Sequence, residues 1–266
     1  MKIVKLLDFG RNTVAVVPTM DTILPRVSRL KKELVNMDVD MIAVEDSGPA
    51  FNFAKSMNAG IVEALSQREV KYILLSNDDI YDIRGFREML AAIGDGGTYD
   101  YAHPYINGTR PAAVSTRSAM KAIINFSIKK QAPFFARDKV RNARNISGIQ
   151  HPLLIVPSIF HGNEMISVQP FGLLRREILE NCVFDEKFHN GMEDDDLMYR
   201  ICLRGYRGIT DRNWNVVHSM GASFRAINRH ERMGSYYGGD ELFKKNLDYF
   251  CRKHEESGAT SMRGTR

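Results

Sequence analysis

Apolar and polar positions follow two rhythms in the first third of the chain. Three short runs, VAVVPT (14–19), DMIAVEDS (40–47) and KYILLSNDD (71–79), are almost unbroken apolar stretches that end in polar residues. Such runs predict strands covered on both faces. Between them the period lengthens. Residues 22–36 set Ile23, Val27, Leu30 and Leu34 on one helical face, and residues 52–66 do the same with Phe53, Met57, Ile61 and Leu65. Strand, helix, strand, helix, strand predicts an α/β fold with a parallel sheet and right-handed crossovers. Residues 84–96 predict a further helix, closed by GDGG. The segment MISVQPFGLLRREIL (165–179) returns to a strand and then a helix, and WNVVHSMGASF (214–224) predicts a short strand ending at His218. Residues 103–165 hold Pro and Gly turns and no clean strand, so they read as an irregular insertion. The polar tail from Glu256 predicts disorder.

The acids are not scattered over this frame. Asp21 follows the first strand, Glu45 and Asp46 end the second, and Asp78 and Asp79 end the third. Parallel strands end on one edge, and ligands of open α/β sheets bind beyond that edge. Any one of these acids suits a turn or a cap; together they gather carboxylates round one crevice. Adjacent Asp residues at a strand end are hard oxygen ligands for Mg²⁺ or Mn²⁺, with substrate phosphates completing the shell. His218 is a third ligand only if its strand returns beside Asp78, and a His would lean the choice towards Mn²⁺. No GxxxxGK[ST] and no GxGxxG follows the first strand, so neither a P-loop nor a dinucleotide fingerprint is present.

A second acidic feature lies downstream. Glu193, Asp194, Asp195 and Asp196 stand side by side after Asn190-Gly191 and open a helix that runs to about Arg204, with Gly205 as its C-cap and Leu197 and Ile201 facing the core. Helix-dipole complementation accounts for one or two acids there, at ~0.5 kcal/mol each, and does not need four. Crowded carboxylates raise one another's pKa and make better bases.

Composition narrows the setting. The chain has 266 residues, 44% hydrophobic and 26% charged, with net charge +5 and pI near 9.0. That is a mild bias towards anionic partners. Nine Lys/Arg against one acid, Asp138, lie between Arg110 and Arg144, either a solvated insertion or a surface for an anionic acceptor. Cys182, Cys202 and Cys251 form no metal spacing and suit a reducing compartment. No signal-peptide pattern and no apolar run of membrane length is seen, so a cytoplasmic protein is expected, with peripheral membrane attachment left open.

Together these segments resemble the family 2 glycosyltransferases, from about Val14 to His218. VAVVPTMD is similar to that family's first strand, IAVEDSG to its nucleotide-base element, NFAKSMNAGI to the helix that follows, and YILLSNDDI to its metal-binding strand end. FGLLRREILENCVFDEKFHNGMEDDDLMYRICLRGY resembles its acceptor segment, and MEDDDLMYRICLRG also resembles the β-1,4-galactosyltransferases. Departures are Ser76 at the first position of the metal motif, Met57 in place of an Arg, and Cys182-Val183 in place of Gly-Gly.

The resemblance implies a single GT-A domain over residues 1–255: a nucleotide-binding half at about 12–100, the basic insertion at about 103–165 and an acceptor half at about 166–255. It implies metal-dependent, inverting transfer of a sugar from a nucleotide-diphosphate sugar to an acceptor hydroxyl, the acceptor being a glycan, a lipid-linked group or another hydroxyl. Thr19, Asp21, Asp46, Asn58 and Asn77 would hold the donor. Asp78, Asp79 and His218 would hold Mn²⁺ or Mg²⁺. Asp194 would be the base, with Glu193 and Asp195 beside it, and Arg225, Arg229 and Arg232 could close over the diphosphate. A glycoside hydrolase, a sugar nucleotidyltransferase and a nucleic-acid binder using residues 110–144 are the competing classes.

Overall fold

The computed structural model describes residues 1–47, 51–110, 113–114, 165–189, 191–219, 242, 245–250 and 252–254. Most of the basic insertion, Asn190, Cys251, Arg225, Arg229, Arg232 and the tail from Glu256 lie outside them.

Strands β1 (Lys2–Leu7), β2 (Thr13–Thr19), β3 (Asp40–Glu45) and β4 (Tyr72–Ser76) form one side of a seven-stranded sheet. Helix α1 (Pro25–Asn36) links β2 to β3, and α2 (Phe53–Leu65) links β3 to β4. The three apolar runs are thus the three parallel strands β2, β3 and β4, with β2 in the centre. Their unbroken apolarity has a direct cause. Ala15 and Val17 face a core that includes Val27, Leu30 and Leu34 of α1, while Val14 and Val16 face one that includes Met57 and Ile61 of α2. Both faces are covered, so neither can be polar.

Helix α1 starts later than the periodicity predicts. Pro25 occupies its first turn, and Ile23, expected on the buried face, sits in the preceding turn and is 81% exposed. Asn52 caps α2 by accepting from the Lys55 N–H. Gly60 of α2 rests on the sheet so closely that an added Cβ would meet Val16 Cγ1 at 2.4 Å.

Next come β5 (Ile80–Arg84), α3 (Phe86–Ile93), β6 (Tyr101–Ala102), β7 (Tyr105–Ile106), β8 (Ala113–Val114), β9 (Met165–Ile166), β10 (Phe171–Arg175), α4 (Arg176–Asn181), α5 (Glu193–Leu203), β11 (Gly208–Ile209) and β12 (Asn215–His218). The large sheet runs β1-β3-β2-β4-β10-β6-β11. β1 and β10 bring antiparallel ladders to it, on β3 and on β4 and β6, so parallel pairing is confined to β3-β2-β4 and β6-β11. β5, β12 and β7 form a separate three-stranded sheet, and β8 pairs with β9. Residues 245–250 and 252–254 are helical. No helix among the described residues is long and apolar enough to cross a membrane.

Candidate active site

The edge where β2, β3 and β4 end collects the first group of polar side chains. The Thr19 hydroxyl donates to Asp78 Oδ2 at 2.7 Å, and Arg26 Nε, from the first turn of α1, donates to the same oxygen at 2.8 Å. Burial pushes the Asp78 carboxyl up, the Arg26 and Thr19 hydrogen bonds pull it back, and the neighbouring Asp79 charge adds to the rise. Asp21 sits in the turn after β2, with its Oδ1 accepting from the Ile23 N–H at 3.0 Å.

His218 reaches this edge through strand pairing. β12 runs antiparallel to β5 with His218 opposite Ile80, and the Ser219 N–H donates to the Asp79 carbonyl at 3.1 Å. The ring therefore meets the carboxylate one residue before β5, with His218 Nε2 3.0 Å from Asp79 Oδ1. Asn77 Nδ2 lies 3.4 Å from the same ring nitrogen, while Asn77 Oδ1 is buried without a partner.

This corner suits a hard divalent ion of the Mg²⁺ or Mn²⁺ kind. Octahedral ligands at ~2.1 Å place adjacent donors about 3.0 Å apart, the Asp79–His218 separation. Asn77 Oδ1 is a spare oxygen beside them. Among the described residues no group of three or more His, Cys, Asp and Glu gathers at ligand spacing. Of the expected trio, Asp79 and His218 meet, and Asp78 turns Oδ2 to Thr19 and Arg26.

Beyond β3, Asp46 Oδ2 accepts from the Ser56 hydroxyl at 2.7 Å, which ties the acid to α2. Asn58 is spoken for. Its amide donates to the Phe184 carbonyl and to Glu186 Oε1 and accepts from the Phe184 N–H, each at 2.9 Å. Asn52 donates to the carbonyls of Glu186 and Phe188 at 3.1 Å. These two side chains hold the 184–188 loop against the start of α2. They thereby bring α5, which begins five residues after Phe188, towards the edge where β3 ends.

The acidic run opens α5 as expected. Met192 precedes it in the left-handed region, with φ 71°. The Gly191 N–H donates to Glu193 Oε2, and the Asp195 N–H donates to Asp194 Oδ1 at 3.0 Å. Glu193 is buried, whereas Asp194 and Asp195 keep part of their surface exposed. Burial, then the Asp194 charge, pushes Glu193 up to about 7. Burial also raises Asp194, and burial plus the charges of Asp194, Glu193 and Asp196 raises Asp195 well above the ordinary carboxylate range.

Asp196 does more than complement the helix dipole. It is fully buried, with Oδ2 accepting from Arg200 Nε at 2.8 Å and Oδ1 facing His254 Nε2 at 2.8 Å and Lys253 Nζ at 2.7 Å. Burial pushes its pKa up, but His254, Arg200 and Lys253 together outweigh it and hold the carboxyl at about 2. Lys253 also reaches Asp185 at 2.7 Å, Tyr249 OH donates to Asp185 at 2.8 Å, and Asn246 Nδ2 donates to the carbonyls of His189 and Gly191. The helical residues 245–250 and 252–254 thus clamp the loop and first turn that carry the acids. Arg26, Lys253 and His254 carry no local motif. An i, i+4 spacing of Asp196 and Arg200 is the one sequence signal for this cluster.

No family model matches the chain, and no curated protein matches it. Solved structures give distant likenesses. The A197 protein from STIV has a TM-score of 0.45 and 11% identity, over 78% of this chain and 85% of that one. A glycosyltransferase involved in glycosylation of the major capsid of PBCV-1 has a TM-score of 0.38 and 8% identity, over 80% of this chain and 95% of that one. Glucosyl-3-phosphoglycerate synthase from Mycobacterium tuberculosis, solved with Mn²⁺, UDP and glucosyl-3-phosphoglycerate, has a TM-score of 0.37 and 10% identity, over 82% of this chain and 75% of that one.

Proposed function

We propose that this chain is a metal-dependent glycosyltransferase of the GT-A, family 2 type, moving a sugar from a nucleotide-diphosphate sugar to an acceptor hydroxyl with inversion. The observation that carries the reading is the meeting of Asp79 and His218, 139 positions apart in the chain, at the edge where the parallel strands end. Asp79 and His218 would hold Mn²⁺ or Mg²⁺, with Asp78 alongside, and Asn77 would face the donor. The ion supplies charge neutralisation on the leaving diphosphate.

The chain's own groups divide the remaining work. Asp46, held by Ser56, faces the nucleoside base, and Thr19 and Asp21 border the nucleoside. Asn58 acts through the 184–186 loop that it pins. Asp194 takes the proton from the acceptor hydroxyl as the oxygen attacks the anomeric carbon in line. Its raised pKa brings it closer to working pH, where a general base is most effective. Its Oδ1 is held by the Asp195 N–H, which fixes the carboxyl at the first turn of the helix. Glu193 and Asp195 orient Asp194 and the acceptor. The first described helical turn after Gly191 is thereby the acceptor half of the site, and the β4 edge is the donor half.

The test is a screen of UDP-, GDP- and dTDP-sugars with Mn²⁺, read by thermal shift and by slow donor hydrolysis. At least one donor should bind in a metal-dependent way, and Asp79→Asn with His218→Ala should remove that dependence. Full activity in excess EDTA would sink the metal site. Pyrophosphate release from a nucleoside triphosphate plus a sugar phosphate would replace the reading with a nucleotidyltransferase.

A further inference from the structure

Four buried side-chain atoms lack a hydrogen-bond partner among the described residues: Asn77 Oδ1, Gln169 Oε1, Gln169 Nε2 and Thr210 Oγ1. They are not dispersed. Asn77 follows β4 and Gln169 lies just before β10. Thr210 follows β11, which runs parallel to β6 and therefore to β4, because β6 and β4 are both antiparallel to β10. All four atoms lie along one edge of the sheet, the edge that carries Asp78, Asp79 and His218.

Gln169 is the strongest of them. Its side chain is nine-tenths buried, at 9% exposure, and neither end of its amide is used. Its main chain is pinned: the N–H donates to Ser167 Oγ at 3.2 Å, the carbonyl accepts from the Ser167 hydroxyl at 2.8 Å, and His103 Nε2 lies 3.0 Å from that carbonyl. The Asn77 N–H donates to the Pro170 carbonyl at 3.0 Å, which extends the β4–β10 ladder and sets Gln169 beside the Asn77–Asp78 step. A buried amide with an unused donor and an unused acceptor is costly, and folds keep such groups where something else satisfies them.

We propose that the Gln169 amide, with Asn77 Oδ1, recognises hydroxyl groups of the donor's sugar. A hydroxyl both donates and accepts, so adjacent hydroxyls can accept from Nε2 and donate to Oε1 and to Asn77 Oδ1. Phosphate oxygens only accept and would leave both carbonyl oxygens unpaired. A nucleobase edge also offers a donor beside an acceptor, but the strand order separates the two. Asp46 ends β3, and β2 and β4 stand between β3 and β10. At ~4.8 Å per strand, Gln169 lies about 14 Å along the edge from the base-side acid, the span of a nucleoside diphosphate, and so beyond the phosphates. Thr210 lies two strands further, ~10 Å on, outside the reach of one hexose ring. This assignment rests on the sugar-transfer reading and adds to it the residue that reads the sugar.

The experiment measures binding without acceptor, by calorimetry with Mn²⁺, of UDP and UDP-glucose, GDP and GDP-mannose, and dTDP and dTDP-glucose. Acceptor hydroxyls share the chemistry, and leaving the acceptor out separates the two sources. The protein should bind at least one nucleotide sugar about 10-fold more tightly than its nucleotide, the scale of a satisfied buried amide. In Gln169→Leu that preference should fall to near unity, with nucleotide affinity unchanged and the melting temperature of the free protein no lower. Gln169→Glu, which keeps the shape and loses the donor, should lose part of the preference and covers a misfolded Leu variant. A preference that survives both substitutions overturns the assignment and leaves the transferase reading standing, as does an equal loss for nucleotide and nucleotide sugar, or a parent protein that binds both equally. A parent protein that binds none of the six ligands removes the transferase reading itself, and the assignment with it.

Discussion

Asp194 and Asp196 stand two positions apart and are driven in opposite directions. Burial pushes both up, but the His254 hydrogen bond and the charges of Arg200 and Lys253 reverse the effect at Asp196 and hold it at about 2. On the proposed function, the difference separates a base from a strut. Asp194→Asn should lower turnover by about 10²–10⁴, with donor affinity nearly unchanged; steady-state rates beside calorimetry check it, and retained turnover would remove Asp194 from its role. Asp196→Asn should instead destabilise the fold by about 3 kcal/mol, because it removes the buried carboxylate on which Arg200, Lys253 and His254 converge. The pH signs differ too. Asp196 falls from its ordinary 3.8 to about 2, so its stabilisation is present above 3.8 and is lost as pH falls towards about 2. Glu193 rises from 4.5 to about 7, so stability linked to its proton is full below 4.5 and is lost as pH rises towards about 7. Melting temperature against pH should therefore flatten between these limits in Glu193→Gln, and an unchanged slope would contradict the burial argument.

At the scale of elements, the clearest signals in the sequence were the covered ones. β2, β3 and β4 announce themselves because a strand buried on both faces must be apolar throughout, and α2 because Asn52 caps it and Met57 and Ile61 keep its period. β1 is an edge strand with one covered side, so its alternation over six residues was too short and too exposed to read. The exposed Ile23 shows the opposite error, in which periodicity was carried one turn past the proline that starts α1. Gly60 illustrates how tightly α2 lies on the sheet. Gly60→Ala gains ~1 kcal/mol of helix propensity, but its Cβ would enter the Val16 side chain at 2.4 Å. Overpacking of this kind costs about 1–3 kcal/mol, so a net loss and a lower melting temperature are expected. In the helical residues 245–250, Phe250 is fully buried against Tyr199, with ring centroids 5.6 Å apart. Phe250→Ala should cost about 3–5 kcal/mol and should raise hydrogen exchange across residues 184–191, which that segment holds.

On the scale of the whole molecule, the site is assembled from distant stretches, and this decided which of its parts could be read in advance. Strand-end acids were legible because topology alone brings Asp46, Asp78 and Asp79 to one edge. The arrival of His218 depended on β12 pairing with β5, and the partners of Asp196 lie 57 and 58 positions downstream. The empty hydrogen-bonding capacity of Gln169 exists only once its neighbours are in place. Ligand linkage should report on this assembly. A nucleotide sugar with Mn²⁺ at 100 times its Kd should add about 2.7 kcal/mol to stability, some 5–10 °C for a chain of this size. No shift with any donor would count against the site as drawn.

The clamp on Asp196 also has a consequence in time. A ribosome adds roughly 5–20 residues per second, and 58 residues separate Asp196 from His254. For roughly 3–12 s of synthesis the nascent chain carries its acidic turn without two of the partners that will fix Asp196. The sheet edge can form during that interval, whereas the clamp on Asp196 cannot close until Lys253 and His254 have emerged. The strand-end group is in this sense older than the clamped acidic turn in every newly made copy.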